Sequence, residues 1–97
     1  MTSPPSETRS VILVDDDAVF RERLARALRE RGFTMHTAAD GPVALALARL
    51  ETFHAALIDL AMPGGLTGLD VVRELHALQP AARRIALTGY GSIASAL

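Results

Sequence analysis

Cysteine is absent from this 97-residue chain, and so is lysine, so every one of its ten basic residues is arginine. Without thiols there can be neither a disulfide framework nor a thiolate metal site, which fits a reducing cytoplasm. Long apolar runs are missing as well. No uncharged stretch reaches the length needed to cross a bilayer, and Met1-Thr2-Ser3-Pro4-Pro5 has no secretion-signal character, so no membrane association is expected. Neither sign of charge is in excess. The net charge of −1 gives no electrostatic ground for nucleic-acid binding by this segment. What remains, 49% apolar and 22% charged residues, is the composition of a folded domain. The length suits a single core at the small end of what stands alone.

Periodicity divides the chain into alternating strands and helices. Met1 to Arg9 is polar and proline-bearing, a flexible tail ahead of a domain expected over residues 10–97. Ser10 to Asp15 is a short, continuously apolar run of the kind buried on both faces of a sheet. Ala18 to Arg31 then reads as a helix, with Phe20, Leu24, Ala27 and Leu28 inward and Arg21, Glu22, Arg26, Arg29 and Glu30 outward. Glu22–Arg26 and Arg26–Glu30 are spaced for ion pairs. Asp16 or Asp17 can cap this helix, and Gly32 sits where a left-handed residue would end it. Phe33 to Thr37 alternates as a second strand. Asp40-Gly41-Pro42 opens a helix carrying Val43, Leu45, Leu47 and Leu50. His54 to Asp59 is a third strand, and Met62 to Gly68 a glycine-rich loop. Leu69 to Leu78 is a third helix with Leu69, Val72 and Leu75 inward, stopped by Pro80. Arg84 to Thr88 is a fourth strand, and Ser92 to Leu97 reads as the opening of a fourth helix.

Strict β-α-β-α order predicts an α/β, doubly wound parallel sheet with right-handed crossovers. In such sheets ligands gather beyond the carboxyl ends of the strands, where strand order reverses. The acidic residues fall at those ends: Asp15-Asp16-Asp17 follow the first strand and Asp59 closes the third. With strands ordered 2-1-3-4 they meet in one crevice, together with Thr88 at the end of the fourth. Two carboxylates about 4 Å apart repel by roughly 4 kcal/mol at an effective dielectric near 20. A protein that collects several usually binds a hard divalent cation such as Mg²⁺.

Three segments, VILVDDD at Val11 to Asp17, LIDLAMPGG at Leu57 to Gly65 and IALTGYGSI at Ile85 to Ile93, make the chain resemble the receiver domains of two-component response regulators. The resemblance implies a flavodoxin-like (CheY-like) fold and a phosphorelay function in the cytoplasm. In it Asp15 and Asp16 match the acidic pair that binds Mg²⁺, and the Ala61 backbone carbonyl completes that site. Asp59 matches the aspartate that takes a phosphoryl group from a sensor histidine kinase or phosphotransfer protein. Thr88 matches the residue that hydrogen-bonds the phosphoryl oxygens, and Tyr90 the aromatic that switches rotamer. The partner so implied is a kinase, with a dimer left open. The domain is expected to act as a switch and not as an enzyme.

The chain departs from the family pattern in three respects. The family's lysine on a fifth strand would lie beyond Leu97. The fifth strand and closing helix are missing, so the fourth strand is expected to be a bare edge that exposes Ile85 and Leu87. The loop from Pro63 to Gly68 is one residue longer than usual. Two other readings compete. One is a non-phosphorylated interaction module. The other is a haloacid-dehalogenase-type phosphatase, in which Asp15 would be nucleophile and Asp17 general acid, with Val19 and Leu87-Thr88 completing its motifs; it leaves Asp59 without a task. Asp17 is more simply a cap, Asp40 a cap and Asp70 a surface charge. His36, His54 and His76 share no face.

Overall fold

The computed structural model describes residues 9–62 and 66–87, and the backbone of residues 93–96. Its elements are β1 (Ser10–Val14), α1 (Ala18–Glu30), β2 (Thr34–Ala38), α2 (Gly41–Leu50), β3 (Ala55–Asp59), α3 (Gly68–Leu78), β4 (Arg83–Leu87) and β5 (Ile93–Ala96). The strands lie in the order β2-β1-β3-β4-β5. The first four are mutually parallel, as the alternation of strands and helices requires.

Local sequence explains the element boundaries. Asp17 is extended and its side chain accepts from Phe20 N–H at 3.0 Å, so it caps α1. The helix ends in a Schellman turn, in which Phe33 N–H donates to Leu28 C=O and Gly32 N–H to Arg29 C=O. Gly32 has φ +98°, a conformation that side-chain-bearing residues adopt only at a cost. Asp40 caps α2 ahead of Pro42, which sits in its first turn. Thr67 and Asp70 form a reciprocal capping box at the start of α3.

Alternate residues of β1 serve two cores. Ile12 and Val14 join Ala44, Leu45, Ala56, Ile58 and Val71 beneath α2 and α3. Val11 and Leu13 join Ala25, Met35 and Leu87 on the α1 side. At the amino ends of the strands Gln79 ties three segments together. Its side-chain carbonyl accepts from Phe53 N–H at 2.8 Å, and its amide donates to Ala48 C=O at 2.8 Å and Glu51 C=O at 2.6 Å. Beside it His54 Nδ1 accepts from Ser10 N–H at 3.1 Å, and His36 lies 3.2 Å from Glu51.

Several expectations need correction. Residues 93–96 form no helix; they turn back as an antiparallel strand along β4, with a register shift at Ala86/Leu87. The open edge of β4 offers ready-made backbone hydrogen-bond partners, and this segment takes them. The β4 edge is therefore not bare. Leu87 is buried, while Ile85 stays partly exposed beside an apolar cleft of about 360 Å³ that runs along α1. On the helices, Ala25, Ala44, Ala48 and Val71 are buried, whereas Ala27 and Leu69, expected inward, face solvent, as do Val43 and Leu50. Small residues let a helix sit closer to the sheet, and hydrophobicity alone does not rank them first. The Arg26–Glu30 pair forms at 3.6 Å, but Glu22 lies beside Arg21 at 3.8 Å instead of Arg26.

Gly68 packs directly on the strand that ends in Asp59. A Cβ there would collide with the Asp59 carbonyl oxygen and lie 2.6 Å from Leu60 Cα, both backbone atoms. Gly68→Ala should therefore lower stability by about 1–3 kcal/mol, measured by urea unfolding. A variant as stable as the parent would show that this contact yields freely.

Candidate functional site

Register brings the acidic residues together. β1 and β3 pair with Val14 opposite Ile58, so the residues that follow, Asp15 and Asp59, stand abreast where both strands reach their carboxyl ends. Both are buried, at 5% and 7% exposure, and they are the buried charged residues of the described chain. Asp16 next door is exposed. One carboxylate oxygen from each of Asp15, Asp16 and Asp59 can be chosen so that all lie within 4.8 Å of one another.

Each buried carboxylate is held in the same manner. Asp17 N–H donates to Asp15 Oδ1 at 2.8 Å, and Ala61 N–H donates to Asp59 Oδ1 at 2.9 Å. In both, the backbone two residues on folds back on the side chain, the turn that short acidic side chains favour. Each carboxylate is thereby oriented, with its second oxygen left uncommitted by that bond.

Electrostatics mark the site as strained without a counter-charge. The Asp15 carboxyl is pushed above its ordinary value of 3.8. Burial is the largest cause; the Asp17 N–H opposes it, and the charges of Asp59, Asp16 and Asp17 add to it. Asp70, by contrast, is pulled below its ordinary value by hydrogen bonds from the Thr67 backbone and hydroxyl, as a capping residue should be. An all-oxygen, all-anionic donor set of this kind fits a hard divalent cation and does not suit a soft one.

The expected residues divide into three groups. Asp15, Asp16 and Asp59 converge. Ala61 lies beside them, exposed, with its N–H on Asp59. Thr88 and Tyr90 lie outside the described residues, as do Pro63, Gly64 and Gly65 of the glycine-rich loop. Asp17 caps α1 and is not part of the converging group. One neighbour was misread from sequence: Arg21, expected on the solvated face of α1, keeps only 16% of its side chain exposed. Its Nη1 donates to the Asp15 carbonyl at 2.8 Å. No apolar pattern signals this, because a charged residue on a helix reads as outward-facing.

The response regulator receiver domain family matches residues 11–97 of the chain. This protein belongs to that family. It is 44% identical over 89 residues to the photosynthetic apparatus regulatory protein RegA of Cereibacter sphaeroides, a match covering 92% of this chain and 48% of RegA. The chain thus spans about half the length of the curated relatives it matches. A response regulator from Burkholderia pseudomallei, whose crystal structure contains a phosphorylated aspartic acid, calcium ion and citrate, superposes with a TM-score of 0.80 at 40% identity, over 89% of this chain and 50% of that one. The response regulator TrrA, solved in complex with the histidine kinase ThkA, is the reference for a further match with a TM-score of 0.79 at 32% identity, over 91% of this chain and 75% of the matched one. The receiver fold, with its 2-1-3-4 parallel core, is what the sequence pattern implied. A receiver is a phosphoacceptor switch, not an enzyme that turns over a substrate. Family membership sets aside the phosphatase reading, whose general acid, Asp17, is engaged as a cap.

The raised Asp15 value has a measurable consequence. A carboxyl whose folded value exceeds its unfolded value makes the metal-free fold lose stability as pH rises from near 3.8 through the raised folded value. In chelator, Asp15→Asn should therefore melt above the parent at pH 7, and the gap should close as pH falls toward 4. A hard divalent cation held by this cluster, at a hundred times its Kd, should stabilise the parent by about 2.7 kcal/mol and leave the variant little changed. Circular dichroism melts check both; equal melting temperatures at pH 7 would contradict the burial argument.

Proposed function

We propose that Asp59 accepts a phosphoryl group from a sensor histidine kinase or phosphotransfer protein, in the cytoplasm. The observation that carries this is the buried Asp59 carboxylate, oriented by Ala61 N–H and grouped within 4.8 Å of Asp15 and Asp16 oxygens. The unit that does so is taken as residues 10–97, with residues 1–9 as a tail outside it. A Mg²⁺ ion would be held by Asp15, Asp16 and Asp59 and by the Ala61 carbonyl. When bound, it neutralises the negative charge that otherwise keeps carboxylate and phosphoryl group apart.

The chain's own residues would supply the rest. An Asp59 oxygen attacks phosphorus in line, and the P–N bond to the donor imidazole breaks. Its electron pair returns to the ring nitrogen, which takes up a proton, and Asp59 is left as an acyl phosphate. By the family resemblance, Thr88 would donate a hydrogen bond to the phosphoryl oxygens and Tyr90 would change rotamer in response, altering the surface read by an output or partner. The ThkA–TrrA complex supports a kinase as the partner class, and the phosphorylated aspartic acid of the Burkholderia regulator supports the chemistry. Among the described residues no helix is long and apolar enough to cross a membrane.

Incubation with acetyl phosphate and Mg²⁺, followed by intact-mass measurement, should add one phosphoryl group to the parent chain. Asp59→Asn should show no adduct, and chelator should suppress the adduct on the parent. A parent chain that stays unmodified would instead leave the interaction-module reading. An adduct that survives Asp59→Asn and disappears on replacing Asp15 would revive the phosphatase.

A further inference from the structure

Arg21 stands where helix physics disfavours it. It lies in the opening turns of α1, whose amino end carries the positive pole of the helix dipole, and no acidic residue occupies the first turn to offset it. It is also mostly buried, with 16% of its side chain exposed. A guanidinium that is both desolvated and at the wrong end of a helix needs compensation. Two contacts supply it: Nη1 donates to the Asp15 carbonyl at 2.8 Å, and Nε lies 3.8 Å from Glu22 Oε1.

The Asp15 carbonyl is no ordinary acceptor. It belongs to the peptide that joins the two acidic residues after β1, so whatever fixes this plane fixes the direction in which Asp16 leaves the chain. Three bonds now hold the turn from different sides. Asp15 N–H donates to Ala38 C=O at 3.1 Å, Asp17 N–H donates to the Asp15 carboxylate, and Arg21 grips the Asp15 carbonyl. The helix itself closes the loop, since Arg21 N–H donates to Asp17 C=O at 2.9 Å. Arg21 is therefore bonded through both its backbone and its side chain to the acidic turn.

We propose that Arg21 is a positioning residue for the cation site, holding the Asp15–Asp16 peptide so that both carboxylates face Asp59. The inference rests on the reading that Asp15, Asp16 and Asp59 hold Mg²⁺. Its sign is what makes it decisive. As a nearby positive charge Arg21 repels a divalent cation, so a purely electrostatic role predicts tighter binding when the charge is removed. A positioning role predicts the opposite, because residues that orient metal ligands typically account for ten- to a hundredfold in affinity.

The test is calorimetric titration of Mg²⁺ into the chelator-treated full chain, below the melting temperature of each protein. Arg21→Met keeps the apolar stem and removes the donor and the charge; it should weaken Mg²⁺ binding roughly tenfold. Arg21→Lys keeps the cation and one donor without the planar fork, and should fall between the two. A merely structural role would lower the melting temperature and leave the affinity of the folded protein unmoved. Unchanged or tighter binding by Arg21→Met overturns the proposal. If that variant does not fold, Arg21→Lys decides alone: weaker binding than the parent supports positioning, and parental binding overturns it. A parent chain that takes up no Mg²⁺ sinks the cation reading itself and this inference with it, whereas normal uptake by the parent with unaltered variants removes only Arg21.

Discussion

Parallel pairing of β1 with β3, Val14 opposite Ile58, sets where the negative charge of this protein collects. Side chains alternate along a strand, so a slip of one residue would turn Ile12 and Val14 away from the core they share with Ile58 and Val71. The apolar faces therefore lock the register, and the register in turn forces Asp15 and Asp59 into each other's company. Neither acid chooses the other; hydrophobic burial of the residue just before each, Val14 and Ile58, does so. The backbone then limits the cost, through the N–H groups of Asp17 and Ala61 that reach the two carboxylates.

The strands were legible because they are short runs of branched apolar residues bounded by acids and glycines, and the acids were legible because they end those runs. Caps were equally plain: Asp17, Asp40 and Gly32 perform the tasks their residue types suggest. Helix faces were harder. Val43, Leu50 and Leu69 carry the hydrophobicity that a sequence reading weights most, yet they lie exposed while Ala44, Ala48 and Val71 take the inner positions. The chain's last residues misled for a different reason, since Ile93 to Ala96 has no strong local preference and the β4 edge settles the matter. Arg21 was beyond reach of pattern altogether: its partner is a backbone carbonyl, and any residue type offers one.

The two ends of the sheet are built from different materials. At the amino ends, Gln79 binds backbone groups of Ala48, Glu51 and Phe53, and His54 receives the Ser10 N–H, so neutral hydrogen bonds join segments far apart in sequence. At the carboxyl ends, anionic side chains crowd together with a guanidinium behind them. The first arrangement ties α2, α3 and β3 to one frame. The second is an unbalanced cluster whose energy changes sharply when a charge arrives. The domain is thus fastened by neutral hydrogen bonds at one pole and electrically loaded at the other.

The bond from Ala61 N–H to Asp59 Oδ1 carries a stereochemical corollary. A free carboxylate has two equivalent oxygens and can rotate to offer either. Here one is engaged by a backbone N–H, so the other is the oxygen left uncommitted by that bond to meet an approaching electrophile. The anhydride formed there would have its new bond pointing away from the tether, and hydrolysis would have to proceed along that same line.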